Sequence, residues 1–136
     1  MITEITVLRT QGLGVGPKDR MVLRKEGTAE YEGFARVEKL GRYRGSIPTV
    51  EFERLAKLLV DKGFFDMEPT YRAKGPSGRG FVTDAPGISL AVIRDGKMKS
   101  VVDYGRGGPV ELREVQAGIL DVFKTIPWQK VEADSK

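Results

Sequence analysis

A chain of 136 residues with 40% hydrophobic and 31% charged side chains has the size and make-up of one globular domain, long enough to close a core without cross-links. It contains neither cysteine nor histidine, which excludes a disulfide framework, thiolate nucleophiles, Ser-His-Asp and Cys-His arrangements and the usual transition-metal ligands. Those absences leave any catalysis to carboxylates, lysine, tyrosine or hydroxyls, and 23 basic against 19 acidic residues, a net charge of +4, invite a nucleic-acid reading.

Ile5 and Val7 alternating with Glu4 and Thr6 predict a first strand at 2–9, and Met21 to Leu23 predict a second. Between them lies "GLGVGPKDR", Gly12 to Arg20, whose alternate glycines suggest a phosphate-binding loop. Such a loop works by leading from a strand into a helix whose free N–H groups face the anion, and here the next element is a strand. The dinucleotide and Walker spacings are also missing, so an inter-strand turn is expected. "KEGTA" reads as a hairpin turn into "EYEGFARV", followed by an extended "KLGRYRG" in which Gly41 marks a bulge.

From Pro48 the period changes. Phe52, Leu55, Ala56 and Leu59 recur at helical spacing up to Gly63, and the pair Phe64 and Phe65 anchors the helix end in the core. The Gly-, Pro- and Ser-rich run from Pro69 to Pro86 reads as a long exposed loop. Ile88, Leu90 and Val92 predict a central strand, Asp95-Gly96 a tight hairpin, and Met98 to Tyr104 the returning strand. Pro109 opens a second helix with Leu112, Val115, Ile119, Val122, Phe123 and Ile126 on its buried stripe, and Pro127 stops it. Trp128 tucks onto the core, so a domain over 1–128 with a flexible tail over 129–136 is expected. The N-terminus lacks the regions of a signal peptide and no stretch nears ~18 apolar residues, so a cytoplasmic protein without a membrane role is expected.

An internal echo runs through the chain: "VEFERL" at 50–55 and "VELREV" at 110–115 share one offset with Gly27 and Gly87 and with Gly45 and Gly105. A duplicated strand-then-helix unit is one explanation, and chance likeness of helix starts is the other.

"RTQGLGVGPKDRMVLRKEGTAEYEG" resembles the opening of an uncharacterised family of small bacterial αβ domains, a domain of unknown function. In that family a Cys-Phe-Gly-x-Cys-Pro loop precedes a strand and a Gly-Thr-x-x-Tyr-x-Gly hairpin. Gly14, Pro17, Gly27, Thr28, Tyr31 and Gly33 stand at matching positions. The likeness continues through "EFERLAKLL", "GFFDM", the "TDAP" turn, "ISLAV" and "VVDYGRGGPVELREV". Where the family often has two cysteines this chain has Gly12 and Gly16, so any thiol role they imply cannot operate here. The resemblance implies a fold and no reaction.

Asp84 and Asp103 are the candidate catalytic carboxylates, since a close pair shifts pKa values apart or holds a hard cation. Asp84 is equally a turn residue and Asp103 a strand-end charge. Tyr43 and Tyr104, beside Arg42, Arg44, Arg72, Lys74 and Arg79, are the candidate binding residues, as stacking surfaces flanked by phosphate-binding cations.

The expected architecture is α+β, with a mainly antiparallel sheet of five to seven strands and helices at 49–63 and 109–126 on one face. The expected function is a non-enzymatic protein-interaction or binding module that holds a partner, or a copy of itself, through a sheet edge or the face bearing Tyr31, Tyr43 and Tyr104. The alternatives are a single-stranded nucleic-acid binder and, third, a carboxylate-based enzyme. No cofactor and no metal are expected.

Overall fold

The computed structural model describes residues 1–12, 16–72 and 86–131. Strands β1 (Ile2–Thr10), β2 (Lys18–Arg24), β3 (Thr28–Ala35) and β4 (Gly41–Ser46) lead into helix α1 (Thr49–Asp61) and a 3-10 turn at Phe64–Asp66. Then come β5 (Thr70–Arg72), the hairpin of β6 (Gly87–Arg94) and β7 (Lys97–Tyr104), helix α2 (Val110–Thr125) and β8 (Gln129–Lys130). The glycine loop joins strand to strand, as its context required.

The fold is α+β, and among the described residues eight strands run in the order β5-β7-β6-β1-β2-β3-β4-β8. The sheet is mixed, because β5 joins β7 in parallel while the other pairings among the described residues are antiparallel. This corrects the reading of 69–86 as loop throughout: Thr70–Arg72 pair with Val102–Tyr104, a run too short for alternation to show in a sequence. Residues 73–85 lie outside the described residues. Gly41 is no bulge. It opens β4 opposite Gly33 in unbroken register, and the register shifts fall between Ile2 and Glu4 and between Lys18 and Asp19. Gln129 and Lys130, at the start of the segment read as a tail, pair with Arg44 and Tyr43.

The period of two separates the faces of the sheet. Across the strands, Tyr43, Tyr31, Met21, Val7, Leu90 and Val101 form one register row, flanked by the row containing Ala29, Leu23, Ile5 and Val92. Most of these side chains are buried. The intervening residues form the other face, where Arg20, Glu30, Arg42 and Arg44 are exposed, Glu32 is half-buried and Val22 is buried.

Phe52, Leu55 and Leu59 of α1 and Leu112, Val115, Ile119 and Val122 of α2 belong to the same hydrophobic cluster as the buried strand residues. Burying each large side chain contributes about 1.5–3 kcal/mol relative to leaving it exposed. The helices meet where Gly118 faces Leu58, and Lys62 bridges to Glu114 at 2.9 Å. Among the described residues, no helix is long and apolar enough to cross a membrane.

Moved by the 60 positions that separate Glu51 from Glu111, the ranges of β3, β4 and α1 fall at 88–95, 101–106 and 109–121, over β6, β7 and α2. The echo in the sequence therefore coincides with a repeated strand–strand–helix order. Its two copies flank the central β1–β2 pair.

Candidate functional site

One end of the sheet departs from the apolar pattern. There β1 and β7 finish, β2 and β6 begin, and the inward register row reads Asp19, Arg9, Ile88, Asp103. Arg9 continues the phase of Ile5 and Val7, and Asp19 that of Met21 and Leu23, so the alternation that buries the core carries these charges inward too.

Asp19 is 4% exposed. The Arg9 guanidinium donates to both its oxygens, Nε to Oδ1 at 2.8 Å and Nη2 to Oδ2 at 2.5 Å, and the Tyr31 hydroxyl donates to Oδ2 at 2.8 Å. A buried carboxylate persists when it is paired and hydrogen-bonded in this way. Burial, then the bond to Asp19, pushes the Tyr31 phenol above its ordinary value, and the bond to Asp19 raises the Arg9 guanidinium.

Asp103 is 2% exposed, and its partners are uncharged. The Gly108 backbone N–H donates to Oδ1 at 2.9 Å and the Gln116 amide to Oδ2 at 3.0 Å. The carboxylate thus ties the end of β7 to the chain entering α2 and to the second turn of that helix. A Cβ on Gly108 would meet the tip of the Leu112 side chain at 2.7 Å and Asp103 at 3.3 Å, so a larger residue there would have to displace Leu112.

Over this row lies a cavity of about 480 Å³, within the size range of small-molecule sites. Its polar lining comes from Arg9, Thr10, Asp103, Arg106, Arg113 and Gln116, and its apolar lining includes Pro17, Ile88, Ala117 and Leu120. Arg106 sits in the turn after β7, where Gly105 and Arg106 both have positive φ, 63° and 61°, and the Gly107 N–H closes onto the Tyr104 carbonyl at 3.2 Å. A left-handed arginine carries a backbone cost of about 1–2 kcal/mol. Arg113 of α2 reaches the Arg106 carbonyl through a long 3.5 Å contact.

A second cavity of about 470 Å³ lies at β3 and β4, among Arg20, Glu30, Glu32, Arg42 and Arg44. Arg42 stands opposite Glu32 and Arg44 opposite Glu30, so acids interrupt the basic surface. Tyr43 points to the other face from Arg42 and Arg44 and packs on Tyr31, ring centroids 6.1 Å apart, with the Lys130 ammonium 5.4 Å from its ring. Arg72 and Tyr104 are brought together, the guanidinium 4.5 Å from the ring centroid. Tyr31 and Tyr43 share a register row on the apolar face, whereas Tyr104 follows the inward Asp103 and falls in the opposite phase, so the three tyrosines do not share a face. Lys74, Arg79 and Asp84 lie outside the described residues. No cluster of three or more His, Cys, Asp or Glu placed to hold a metal ion occurs among the described residues.

The profile of a family described as Domain of unknown function (DUF6438) matches residues 3–123, most of the chain. The chain belongs to the DUF6438 family. No curated protein matches it. The match takes in β1 through most of α2, and with them the Arg9–Asp19–Tyr31 network, Asp103 and the described lining of the cavity.

Arg9, Asp19, Arg113 and Gln116 did not stand out from the sequence as site residues. The available signal was a polar residue in an apolar phase: Arg9 and Asp19 on the inward side of strands, and Gln116 beside Val115 on the buried stripe of α2.

Proposed function

We propose that this domain is a non-enzymatic binding module for a small molecule, which enters the cavity between the end of the β1–β7 sheet region and α2. The observation that carries the reading is the convergence, on one concavity of about 480 Å³, of an apolar wall with arginine and glutamine side chains, of which Arg9 and Gln116 are held by Asp19 and Asp103. Asp103 acts as a scaffold residue in this reading, since both its oxygens accept internal hydrogen bonds. Capture of a protein partner by strand addition is less well supported: β5 covers part of the outer edge of β7, and β8 part of that of β4. The helices, sharing the core of the apolar face, leave the charged face of β2–β4 as a solvated surface.

The test is a fragment screen followed by two-dimensional NMR on the natural chain and on Ala117→Trp, which fills the cavity from an exposed helix position. Hits are expected to perturb the amides of Ile88, Gln116 and Ala117 and to lose that effect in the variant, which keeps the same fold. Perturbations scattered over the surface, or unchanged by the filled cavity, would refute the assignment.

A further inference from the structure

The cavity contains more cationic than anionic groups, and they are not equally available. Three guanidiniums, Arg9, Arg106 and Arg113, meet two carboxylates, Asp19 at its edge and Asp103 in its lining, leaving one net positive charge. Arg9 is spent on Asp19, with Nε and Nη2 both donating to it. Asp103 is buried, and each of its oxygens already accepts a hydrogen bond, from the Gly108 N–H and from the Gln116 amide. Arg106 is exposed and Arg113 half-buried, and neither has a carboxylate partner among the described residues.

Two like charges lining one concavity repel, and an anion placed between them relieves that repulsion while accepting charge-assisted hydrogen bonds. A single carboxylate matches the net charge and the fork geometry of a guanidinium. The rest of the wall includes Thr10 and is otherwise apolar, with Pro17, Ile88, Ala117 and Leu120 suited to an aliphatic or aromatic body.

Resting on the cavity reading above, we infer that the ligand is a small amphipathic monocarboxylic acid, its carboxylate held by Arg106 and Arg113 and its apolar body lying against Ile88 and Leu120. The left-handed φ of Arg106 fits this role, because a strained turn residue is retained where its side chain has a use in the folded protein.

The experiment is calorimetric and NMR titration of the whole chain with 4-phenylbutyrate, with the neutral isostere 4-phenylbutyramide and with inorganic phosphate. The acid is expected to bind about 25-fold to 100-fold more tightly than the amide, the worth of the two arginine contacts together, and phosphate more weakly than the acid because it lacks the apolar body. Arg113→Gln and Arg106→Gly should each weaken the acid about fivefold to tenfold and leave the amide unchanged. Arg106→Gly removes the left-handed strain and folds at least as stably, so a loss of binding there is not a loss of fold.

If acid and amide bind alike, or if both arginine variants retain full affinity while Ala117→Trp abolishes binding, the carboxylate inference is overturned and the cavity reading survives. If neither compound perturbs the lining amides and the fragment screen also finds nothing there, both fall.

Discussion

At the scale of single residues, a polar contact matters most here where its neighbours are dry. Tyr31 is 4% exposed, and its hydroxyl donates to a carboxylate that already holds Arg9. Its pKa is raised in the folded state, so the protonated phenol stabilises the fold fully below the ordinary tyrosine value near 10. Above that value the unfolded chain loses its proton while the folded one keeps it, and stability falls by up to about 1.4 kcal/mol per pH unit until the folded pKa is passed. Urea unfolding of the natural chain between pH 9 and pH 11 should therefore show a steeper alkaline decline than Tyr31→Phe. Parallel declines would mean that Tyr31 does not couple to the fold in this way. The same variant should cost about 1 kcal/mol at neutral pH, since Asp19 keeps its arginine.

At the scale of elements, the hairpin of β3 and β4 gives physical content to the Gly-Thr-x-x-Tyr-x-Gly pattern of the opening. Its last glycine, Gly33, lies so close to the returning chain that a Cβ there would stand 1.9 Å from the Lys39 carbonyl oxygen. Backbone, not a flexible side-chain tip, blocks the position, so the hairpin must distort to accept any other residue. Gly33→Ala should lose about 2–3 kcal/mol, the range of an overpacking strain, read as a lower urea midpoint with an unchanged slope. A neutral Gly33→Ala would mean that the turn after β3 yields freely. Gly41, paired with Gly33, faces the end of a lysine side chain instead, with Lys130 Nζ at 3.2 Å from a built Cβ.

At the scale of the whole molecule, strands and helices share one hydrophobic cluster, and Trp128 closes it after α2. Its ring packs on Phe123 and Tyr31 with centroids 5.5 and 5.7 Å away, and its Nε1 donates to the Phe123 carbonyl at 3.0 Å. A chain with one core should unfold in one step. Fluorescence of Trp128, the single tryptophan, and far-ultraviolet dichroism should give coincident denaturant midpoints. Midpoints that separate would show the C-terminal segment melting away from the sheet and would break the one-core description.

By itself the sequence determined the local elements. Period-two and period-3.6 patterns, the Asp95-Gly96 turn and the prolines ahead of the helices are consequences of backbone geometry that each segment carries alone. It also showed the repeated order and the strand-to-strand nature of the glycine loop. Only the tertiary structure decided the site. Asp103 meets Gln116, Arg9 meets Asp19, and Arg106 and Arg113 line one cavity because strand register and the path from β7 into α2 set residues distant in sequence side by side. The same long-range pairing added β5 in parallel to β7. Contacts of this kind depend on how elements pack, whereas a linear pattern records only what each element prefers.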